Sequence, residues 1–527
     1  MVLHRYLTAF CLLCAAFTAA GQTEPVRDFR FTLDNHPFLS LSNPAMLDSF
    51  DGLMARAEAN FRKDNGRMIS LTESPDSWQA GAGAEAYKRT GDRLAFYGKM
   101  AWNHFSGKDM GGQVLMDPAY NPVNFLESTP LTKGTKTRER YELACGLSYK
   151  IGPRWALGAQ LNYTSADQTK VRDPRFSNVW MDLDLNAGAT FKASDKLVLG
   201  ASLQFRNTLE QVKGGIYGVT DQQYFVQADK GGFFGTTSPL DGDYNYISVT
   251  NPRPMMNYFL GGALQVVVNN RFSNELQLRY RNGYYGRKSS STATFYEFDG
   301  LQGDYKGKLL LPSGKNLQVI TLEAGMESLT NRENKFQYVT PTGQNTVVNY
   351  TGQDVILKRN RLDASLSYTF HKGVDNQGAS LTLGARLDGR LTDQTTTLFP
   401  FTRKQQVISY GADLYGSKRF QAGPVRLTAE LHALVGGGFG TPKEDTASAS
   451  ASSTSIKSYD DYLNQYFEYE TALRAGGQLA LTCSLPSLGK CLPYLTLWDR
   501  YLTLTSAPAY LEGAGRNVAG ISIGCNF

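Results

Sequence analysis

Apolar and polar side chains alternate along many long segments of this chain. The clearest segment covers residues 138–151, where Tyr141, Leu143, Cys145, Leu147, Tyr149 and Ile151 alternate with Arg140, Glu142, Ala144, Gly146, Ser148 and Lys150. Because successive side chains of a strand point to opposite faces, this period of two predicts a β-strand with one apolar and one polar face. The alternation continues over roughly ten to fourteen residues, which is longer than a typical sandwich strand and long enough for a tilted strand to cross a bilayer.

The same pattern recurs about eighteen times along the chain. We therefore predict an all-β fold, a transmembrane antiparallel up-and-down β-barrel of about eighteen strands, with about sixteen as the alternative because the tenth and seventeenth segments are poorly patterned. The predicted strands cover residues 52–63, 78–89, 93–106, 138–150, 154–167, 179–192, 196–210, 255–269, 272–287, 292–311, 316–331, 356–371, 378–395, 404–420, 424–439, 466–484, 491–505 and 516–527.

The connections between the predicted strands alternate between short and long. Turns such as Thr90-Gly91-Asp92 and Gly152-Pro153 are short, whereas the largest links cover residues 107–137, 211–254, 332–355 and 440–465. Short periplasmic turns and long external loops are typical of outer-membrane barrels, and a soluble sandwich has no reason to separate them in this way. The connection pattern therefore predicts the bacterial outer membrane as the location and its lipid as the surroundings of the barrel.

The N-terminus has the order of a secretory signal peptide. Basic Arg5 precedes an apolar run at residues 7–17, and small residues follow at 18–21. The run is too short for a membrane anchor, so we expect residues 1–21 to be a signal peptide that is removed on export. Residues 22–51 then form an N-terminal periplasmic arm or a small plug, and residues 52–527 form the barrel. The arm is too short for the plug domain of a TonB-dependent receptor.

The last predicted strand ends in an aromatic residue. Ala519, Ile521, Ile523, Cys525 and Phe527 alternate with smaller or polar residues, and Phe527 is the final residue of the sequence. A terminal aromatic on an amphipathic strand resembles the signal that outer-membrane proteins present to their assembly machinery. We expect Phe527 to act as that assembly signal.

Composition excludes few functions. The mean hydropathy is -0.34 and the formal net charge is +6, and the basic residues do not cluster into a patch that would follow phosphates, so we expect no nucleic-acid partner. The 52 glycines and the 12% of aromatic residues suit tight strands with interfacial rings.

The polar faces of the predicted strands carry charges of both signs. The candidate lumen-lining residues are Arg140, Glu142, Asp182, Asp184, Arg279, Arg281, Arg361, Arg386, Arg390, Glu430 and Arg474. A barrel of about eighteen strands is wide enough to leave a water channel unless something fills it. We therefore expect a porin-like or accessory transport channel for a hydrophilic solute. The alternatives are a lumen filled by salt bridges, and a non-conducting scaffold whose loops bind a receptor or a surface lipoprotein.

Catalytic and metal-binding patterns are sparse. His104 lies near Ser106 and Asp109 at the predicted external rim, but one sequence does not bring a nucleophile, a base and an acid together, so we expect no enzyme. Asp241-Gly242-Asp243 lacks the rest of a calcium-loop spacing, and we expect neither metal nor cofactor.

Two cysteines flank a predicted turn. Cys483 and Cys491 lie on either side of residues 486–490, and the periplasm is oxidising, so a disulfide between them is one expectation and two free thiols the other. Cys145 falls on the lipid-facing side of its strand, where it serves as a small apolar filler.

The segment before the first strand carries a family resemblance. Residues 38–46 read FLSLSNPAM, and an Asn43-Pro44-Ala45 element at this place resembles that of Bacteroides-group outer-membrane β-barrels of poorly characterised families, including fatty-acid-porin-like ones. The resemblance implies a Bacteroidota outer-membrane protein and, as a partner, a TonB-dependent receptor. Fatty-acid-porin relatives have fewer strands than predicted here, and this difference argues against lipid transport.

Overall fold

The computed structural model describes residues 26–117, 121–127, 130–218, 223–240, 245–287, 289, 292–446, 456–487 and 489–527. Most of these residues lie in β-strands, which we number in chain order. They are β1 (Leu53–Gly66), β2 (Asp76–Thr90), β3 (Leu94–Met110), β4 (Asn124–Glu127), β5 (Gly134–Lys150), β6 (Trp155–Val171), β7 (Arg175–Ser194), β8 (Leu197–Gly215), β9 (Phe225–Asp229), β10 (Phe234–Pro239), β11 (Arg253–Val268), β12 (Phe272–Gly286), β13 (Thr294–Ser313), β14 (Asn316–Val339), β15 (Val347–Lys372), β16 (Leu381–Leu398), β17 (Phe401–Ala422), β18 (Val425–Asp445), β19 (Ile456–Ser458), β20 (Arg474–Ser484), β21 (Leu492–Leu504) and β22 (Gly515–Asn526).

The long strands close into one 18-stranded antiparallel barrel, which confirms the fold prediction and its larger strand count. Each long strand pairs with the next long strand along the chain. The ring closes where β1 pairs with β22, with Ala57 opposite Cys525 and Asn60 opposite Ser522. The final residue extends this seam, because the backbone N–H groups of Ala55 and Phe527 donate to each other's carbonyls at 3.2 and 2.9 Å. The role of Phe527 as an assembly signal stays a prediction.

The outer wall exposes a belt of large apolar side chains. On β5, for example, Tyr141, Leu143, Leu147 and Tyr149 are 39–45% exposed. A belt of this kind around a closed sheet is what a lipid-facing surface requires, because exposed apolar area of this extent is not stable in water. No helix among the described residues is long and apolar enough to cross a membrane.

Short helices and a second sheet lie inside or above the wall. The plug helix (Phe29–Asn35) and a 3₁₀ helix (Pro44–Ser49) precede β1, and the loop helix (Asp460–Thr471) precedes β20. The strands β4, β9, β10 and β19 form a separate 4-stranded sheet. The sequence analysis predicted none of these loop elements.

One predicted strand begins too early. Residues 466–484 read as a strand, but β20 starts at Arg474 and residues 460–471 are helical. The tyrosines alternate with acidic residues and imitate a period of two, yet Tyr459, Tyr462, Leu463 and Tyr466 form one helical face that packs on Leu126 and Phe233. Packing against the neighbouring loop therefore favours a helix over a strand in this segment.

The disulfide prediction of Cys483 with Cys491 is wrong. Cys491 is bonded to Cys525, and Cys483 is a free thiol. In the register of the wall Cys483 pairs with Leu495, whereas Pro493 lies opposite Cys525. Cys491 directly precedes β21 and therefore lies next to the end of β22 and not next to β20. Only the strand order around the ring determines which of these two strands supplies its disulfide partner.

Candidate functional site

The N-terminal segment lies inside the barrel near the strand ends that the short turns connect. We call residues 26–51 the plug. The plug helix is capped by Asp28, whose carboxylate accepts a hydrogen bond from the N–H of Phe31 at 2.7 Å. Asn43 caps the following 3₁₀ helix in the same way, accepting from the N–H of Ala45 at 3.0 Å. These two caps fix the ends of the turns that face the wall.

Asn43 holds the plug to three wall strands. Its side-chain amide donates to the carbonyls of Ala189 and Ala201, both at 3.1 Å, and to Oε1 of Gln265 at 3.0 Å. Asn43 is 2% exposed, so these bonds are shielded from water. Every polar atom of this one side chain is thereby used, either in the cap or in the wall.

Glycines on the lumen face form a groove for the Asn43-Pro44-Ala45 element. A Cβ atom added at Gly158 would lie 2.2 Å from the backbone N of Ala45, and one added at Gly188 would lie 2.0 Å from the Asn43 carboxamide oxygen. Both distances are far inside van der Waals contact. The wall therefore carries no side chain at the points where the plug backbone approaches it.

Further polar contacts fix the rest of the plug. Ser42 donates to Glu275 from both its N–H and its hydroxyl, at 2.8 and 2.7 Å. Ser148 donates to the carbonyl of Ala45 at 3.1 Å. Lys308 donates to the carbonyl of Asp34 at 2.7 Å. The plug is thus bound by neutral and charged contacts to strands on several sides of the lumen.

His36 in the plug is held in its neutral form. Its Nδ1 accepts hydrogen bonds from the N–H groups of Phe38 and Leu39, both at 3.3 Å, so this nitrogen carries no proton. Burial lowers the pKa of His36 to about 4, and the positive charges of Lys308 and Arg27 act in the same direction.

The external loops fill the other mouth of the barrel. We call the sheet of β4, β9, β10 and β19, together with the loop helix, the cap. Apolar residues of the cap pack on lumen-facing residues at the outer strand ends in one buried cluster, which includes Phe125, Val226, Ala228, Phe234, Phe176, Val212, Met255, Tyr285, Tyr296, Phe298 and Leu329. The described part of the loop between β8 and β11 therefore folds inward. The remainder of that loop, like the Ser/Ala-rich tract at 447–455, lies outside the described residues.

Buried charges tie the cap to the wall. Lys170 of β6 forms an ion pair with Glu127 of β4 at 2.5 Å, and both side chains are 1% exposed. Arg403 of β17 donates to Asp445 at 2.7 and 2.8 Å and to the carbonyl of Gly232 at 3.1 Å. Such pairs are costly to break one partner at a time, so they favour a cap that is either fully seated or fully released.

Asp229 fixes the turn between the two inner strands of the cap. Its carboxylate accepts from the N–H of Gly231 at 2.9 Å. Burial raises the pKa of Asp229 to about 6, while the backbone hydrogen bonds and Arg403 act in the opposite direction.

A polar chamber of about 870 Å³ lies in the lumen. The wall strands from β12 to β22 line most of it, and the loop helix contributes Tyr469 and Glu470. Its charged lining residues are Glu275, Asp304, Lys306, Glu323, Asp363, Arg386, Asp388, Arg390, Asp413, Glu470, Arg474, Arg500 and Arg516. Both signs of charge face the same space, so the chamber suits a hydrophilic occupant and not a lipid chain.

The predicted lumen residues all lie on the inner face and fall into three groups. Arg386, Arg390 and Arg474 line the chamber, and Arg140 and Glu142 line a second cavity of about 370 Å³. The others form contacts along the wall: Asp182 with Arg206 at 2.7 Å, Asp184 with Gln204 at 2.9 Å, Arg279 with Asp304, Arg281 with Asn257 at 2.7 Å, Arg361 with Asp363 at 3.8 Å, and Glu430 with His432 at 2.8 Å.

The sequence analysis missed several residues of the site. Asn43 and the groove glycines were noted only as a resemblance or as composition. His432 was not among the predicted lumen residues, but it faces the lumen between Asp413 and Glu430, at 3.0 and 2.8 Å. The sequence did contain a signal for His432: residues two apart on a strand share a face, and Glu430 was already predicted to face the lumen.

Comparisons with known proteins give one family and several remote structural likenesses. Residues 44–527 match a family described as a family of unknown function (DUF6850). The ferric preacinetobactin receptor BauA of Acinetobacter baumannii is similar at 10% identity over 91% of this chain and 80% of its own, with a TM-score of 0.40. The FrpB iron transporter of Neisseria meningitidis is similar at 9% identity over 92% and 84%, with a TM-score of 0.39. No curated protein matches the chain.

Proposed function

We propose that this chain, which belongs to the family of unknown function DUF6850, is an outer-membrane transport barrel that takes a small hydrophilic solute into its chamber and passes it on when the plug moves. One observation carries the proposal. A charged chamber lies in the lumen, lined by the wall strands and the loop helix of the cap, inside a wall whose outer surface is apolar. A barrel that served only as a membrane anchor would not need a polar space of this size at its centre.

The outer surface supports the membrane location. The lipid-facing positions of successive strands carry leucine, valine and aromatic residues, including Leu260, Leu264, Leu276 and Leu278 at 51–65% exposed. A closed barrel leaves no unpaired strand edge in lipid, so a sheet with this outer surface is stable in a bilayer. The inner surface is polar and favours contact with water. An apolar outer surface and a polar inner surface together suit a barrel with a water-filled lumen in a membrane.

The plug is the element that controls passage in this proposal. Its contacts with the wall combine hydrogen bonds, each worth about 1 kcal/mol in net terms, with the ion pair of Asp48 and Arg89 at 3.2 Å and the packing of Phe29 and Phe50 on Tyr87. The groove glycines let it fit closely against the wall. A force or a partner on the periplasmic side therefore has a defined element to displace, and a TonB-dependent uptake system is the partner class proposed here.

Swelling of proteoliposomes in an uncharged sugar tests the proposal. Gly158→Ala and Gly188→Ala place a methyl group where the plug backbone and Asn43 now lie, so we expect the plug to leave its groove and the swelling rate to rise several-fold. Gly98→Ala is the matched control, because a Cβ at Gly98 meets nothing within 4 Å. It should behave as the unaltered protein.

Two results would count against transport. If removing residues 26–51 left the vesicles as impermeable as vesicles with the intact chain, the plug would not be the barrier. If both glycine variants released the plug, as judged by protease cleavage within it, and still gave no swelling, the lumen would contain no path.

A non-conducting scaffold is the second candidate. The observation in its favour is that packed elements fill both ends of the lumen among the described residues. The two functions separate in the swelling assay, and crosslinking in native membranes supplies the complementary test. A scaffold would capture a receptor or a surface lipoprotein through its external hairpins even when the plug variants show no permeability.

A further inference from the structure

Most charged side chains on the chamber wall already have a hydrogen-bond or ion-pair partner. Arg390 pairs with Asp363 at 2.5 Å, and Lys306 pairs with Glu323 at 3.2 Å. Arg516 forms bonds with both Asp64 and Glu73. The remaining engaged groups of the lining are Asp304 with Arg279, Asp413 with His432, Glu275 with Ser42, and Arg474 with the Tyr469 carbonyl.

Four charged side chains of the lining are left over. Arg386, Asp388, Glu470 and Arg500 line the chamber, and none of them forms a side-chain hydrogen bond or an ion pair with the described residues. The Nε atom of Arg500 is buried and has no hydrogen-bond partner in this part of the chain. A buried donor without a partner costs about 1–3 kcal/mol, so this atom favours a ligand that accepts a hydrogen bond.

The four residues comprise two cations and two anions. Arg386 and Asp388 are two residues apart on one face of β16, which places their backbones about 7 Å apart. Arg500 lies on β21 and Glu470 in the loop helix, so the second couple comes from other elements around the same space. Each couple offers one guanidinium and one carboxylate.

The neighbours of Asp388 keep it directed into the chamber. Asp388 lies opposite Ser365 on one side and Gly411 on the other. A Cβ at Gly411 would lie 2.9 and 3.1 Å from the two Asp388 carboxylate oxygens, so the glycine leaves room for this carboxylate. The side chain is therefore accommodated by the wall without being neutralised by it.

We propose that the solute held in the chamber is a short zwitterionic peptide, whose carboxylate is bound by Arg386 and Arg500 and whose ammonium group is bound by Asp388 and Glu470. This inference rests on the proposed function and names its substrate class. Charge-assisted hydrogen bonds to both ends match this set of four, whereas an anion alone would leave the two carboxylates without a partner and a cation alone would leave the two guanidinium groups without one. The chamber volume falls in the range of about 300–1,000 Å³ that small-ligand sites occupy.

Equilibrium binding of triglycine to the purified full chain in detergent tests this inference. We expect N-acetyl-triglycine and triglycine amide each to bind about 10- to 100-fold more weakly than triglycine, because each lacks one of the two charges. In the double variant Arg386→Gln with Arg500→Gln, triglycine should lose its advantage over the amide and keep its advantage over the acetylated form. The variant Asp388→Asn with Glu470→Gln should show the reverse.

The two double variants should therefore lose opposite selectivities: one for the free carboxylate and the other for the free ammonium group. If the four residues only stabilised the fold, the variants would not differ in this way. Arg154→Gln, at an exposed position in the turn before β6, is the control and should leave all three affinities unchanged. Equal affinity for the three peptides, or no binding of triglycine at millimolar concentration, would overturn the proposal. Binding in detergent needs no passage through the barrel, so this result is independent of the sugar-swelling experiment.

Discussion

Replacing Asn43 by alanine removes the side chain that joins the plug to three strands of the wall. The change deletes the hydrogen bonds to Ala189, Ala201 and Gln265, at 3.0–3.1 Å. The amide has two N–H groups for these three acceptors, so at about 1 kcal/mol for each neutral bond the loss is about 2 kcal/mol, which is roughly a 30-fold shift towards the undocked plug. Removal of the cap to the N–H of Ala45 acts in the same direction.

Amide hydrogen exchange reports this equilibrium directly. The N–H groups of Met46 and Phe50 donate to carbonyls within the plug, at 3.0 and 3.1 Å. They exchange through opening of the segment, so their rates should rise about 30-fold in Asn43→Ala. Asn35→Ala is the matched control, because the Asn35 amide donates to the carbonyl of Phe31 inside the same segment and not to the wall.

The outcome can refute the reasoning in either of two ways. Protection of Met46 and Phe50 that changes by less than about threefold would mean that Asn43 contributes little to docking. An equal loss of protection in Asn35→Ala would mean that the plug unfolds by itself before it leaves the wall, and then the contacts with β7, β8 and β11 would not set the barrier.

Three further predictions concern the cap, pH and the cysteines. Lys170→Met leaves Glu127 buried without its cation and should destabilise the cap by about 3–5 kcal/mol, measured by urea-dependent proteolysis. The control Lys192→Met should have no effect on the stability of the cap. The double variant Lys170→Met with Glu127→Gln should recover much of the lost stability. Because the pKa of His36 falls from 6.5 to about 4 on docking, the free plug binds the proton first. Docking should therefore weaken as pH falls from 6.5 to 4, by at most about 1.4 kcal/mol per unit, and His36→Gln should abolish this slope in hydrogen exchange. A non-reduced peptide map should join the Cys491 and Cys525 peptides, and a bond from Cys491 to Cys483 would contradict the strand order.

Several predictions from the sequence remain predictions. The signal peptide at 1–21 and the calcium-like Asp241-Gly242-Asp243 lie outside the described residues. The fold does not test three other predictions: the Bacteroides-group resemblance, the absence of enzymatic activity and the partner classes. The transported solute is the subject of the experiments above.

The sequence by itself determined the wall of this protein. Strand formation in a bilayer depends on the alternation of side chains within one segment, and this local property is visible in residues such as Tyr141 to Tyr149. Parity along a strand also placed residues such as Arg386 and Glu430 on the inner face. Short and long connections then determined the antiparallel order, since neighbouring strands in the chain are neighbours in the barrel.

The tertiary structure decided what fills the wall. Which charges pair, as Arg390 does with Asp363, depends on strand register and on side chains that are far apart in the chain, and so does the lack of a partner for Arg386 among the described residues. The plug contacts of Asn43 span more than a hundred residues of sequence, and the disulfide of Cys491 depends on which strand closes the ring. No local pattern encodes these contacts, because they arise only after the sheet has curved into a closed barrel.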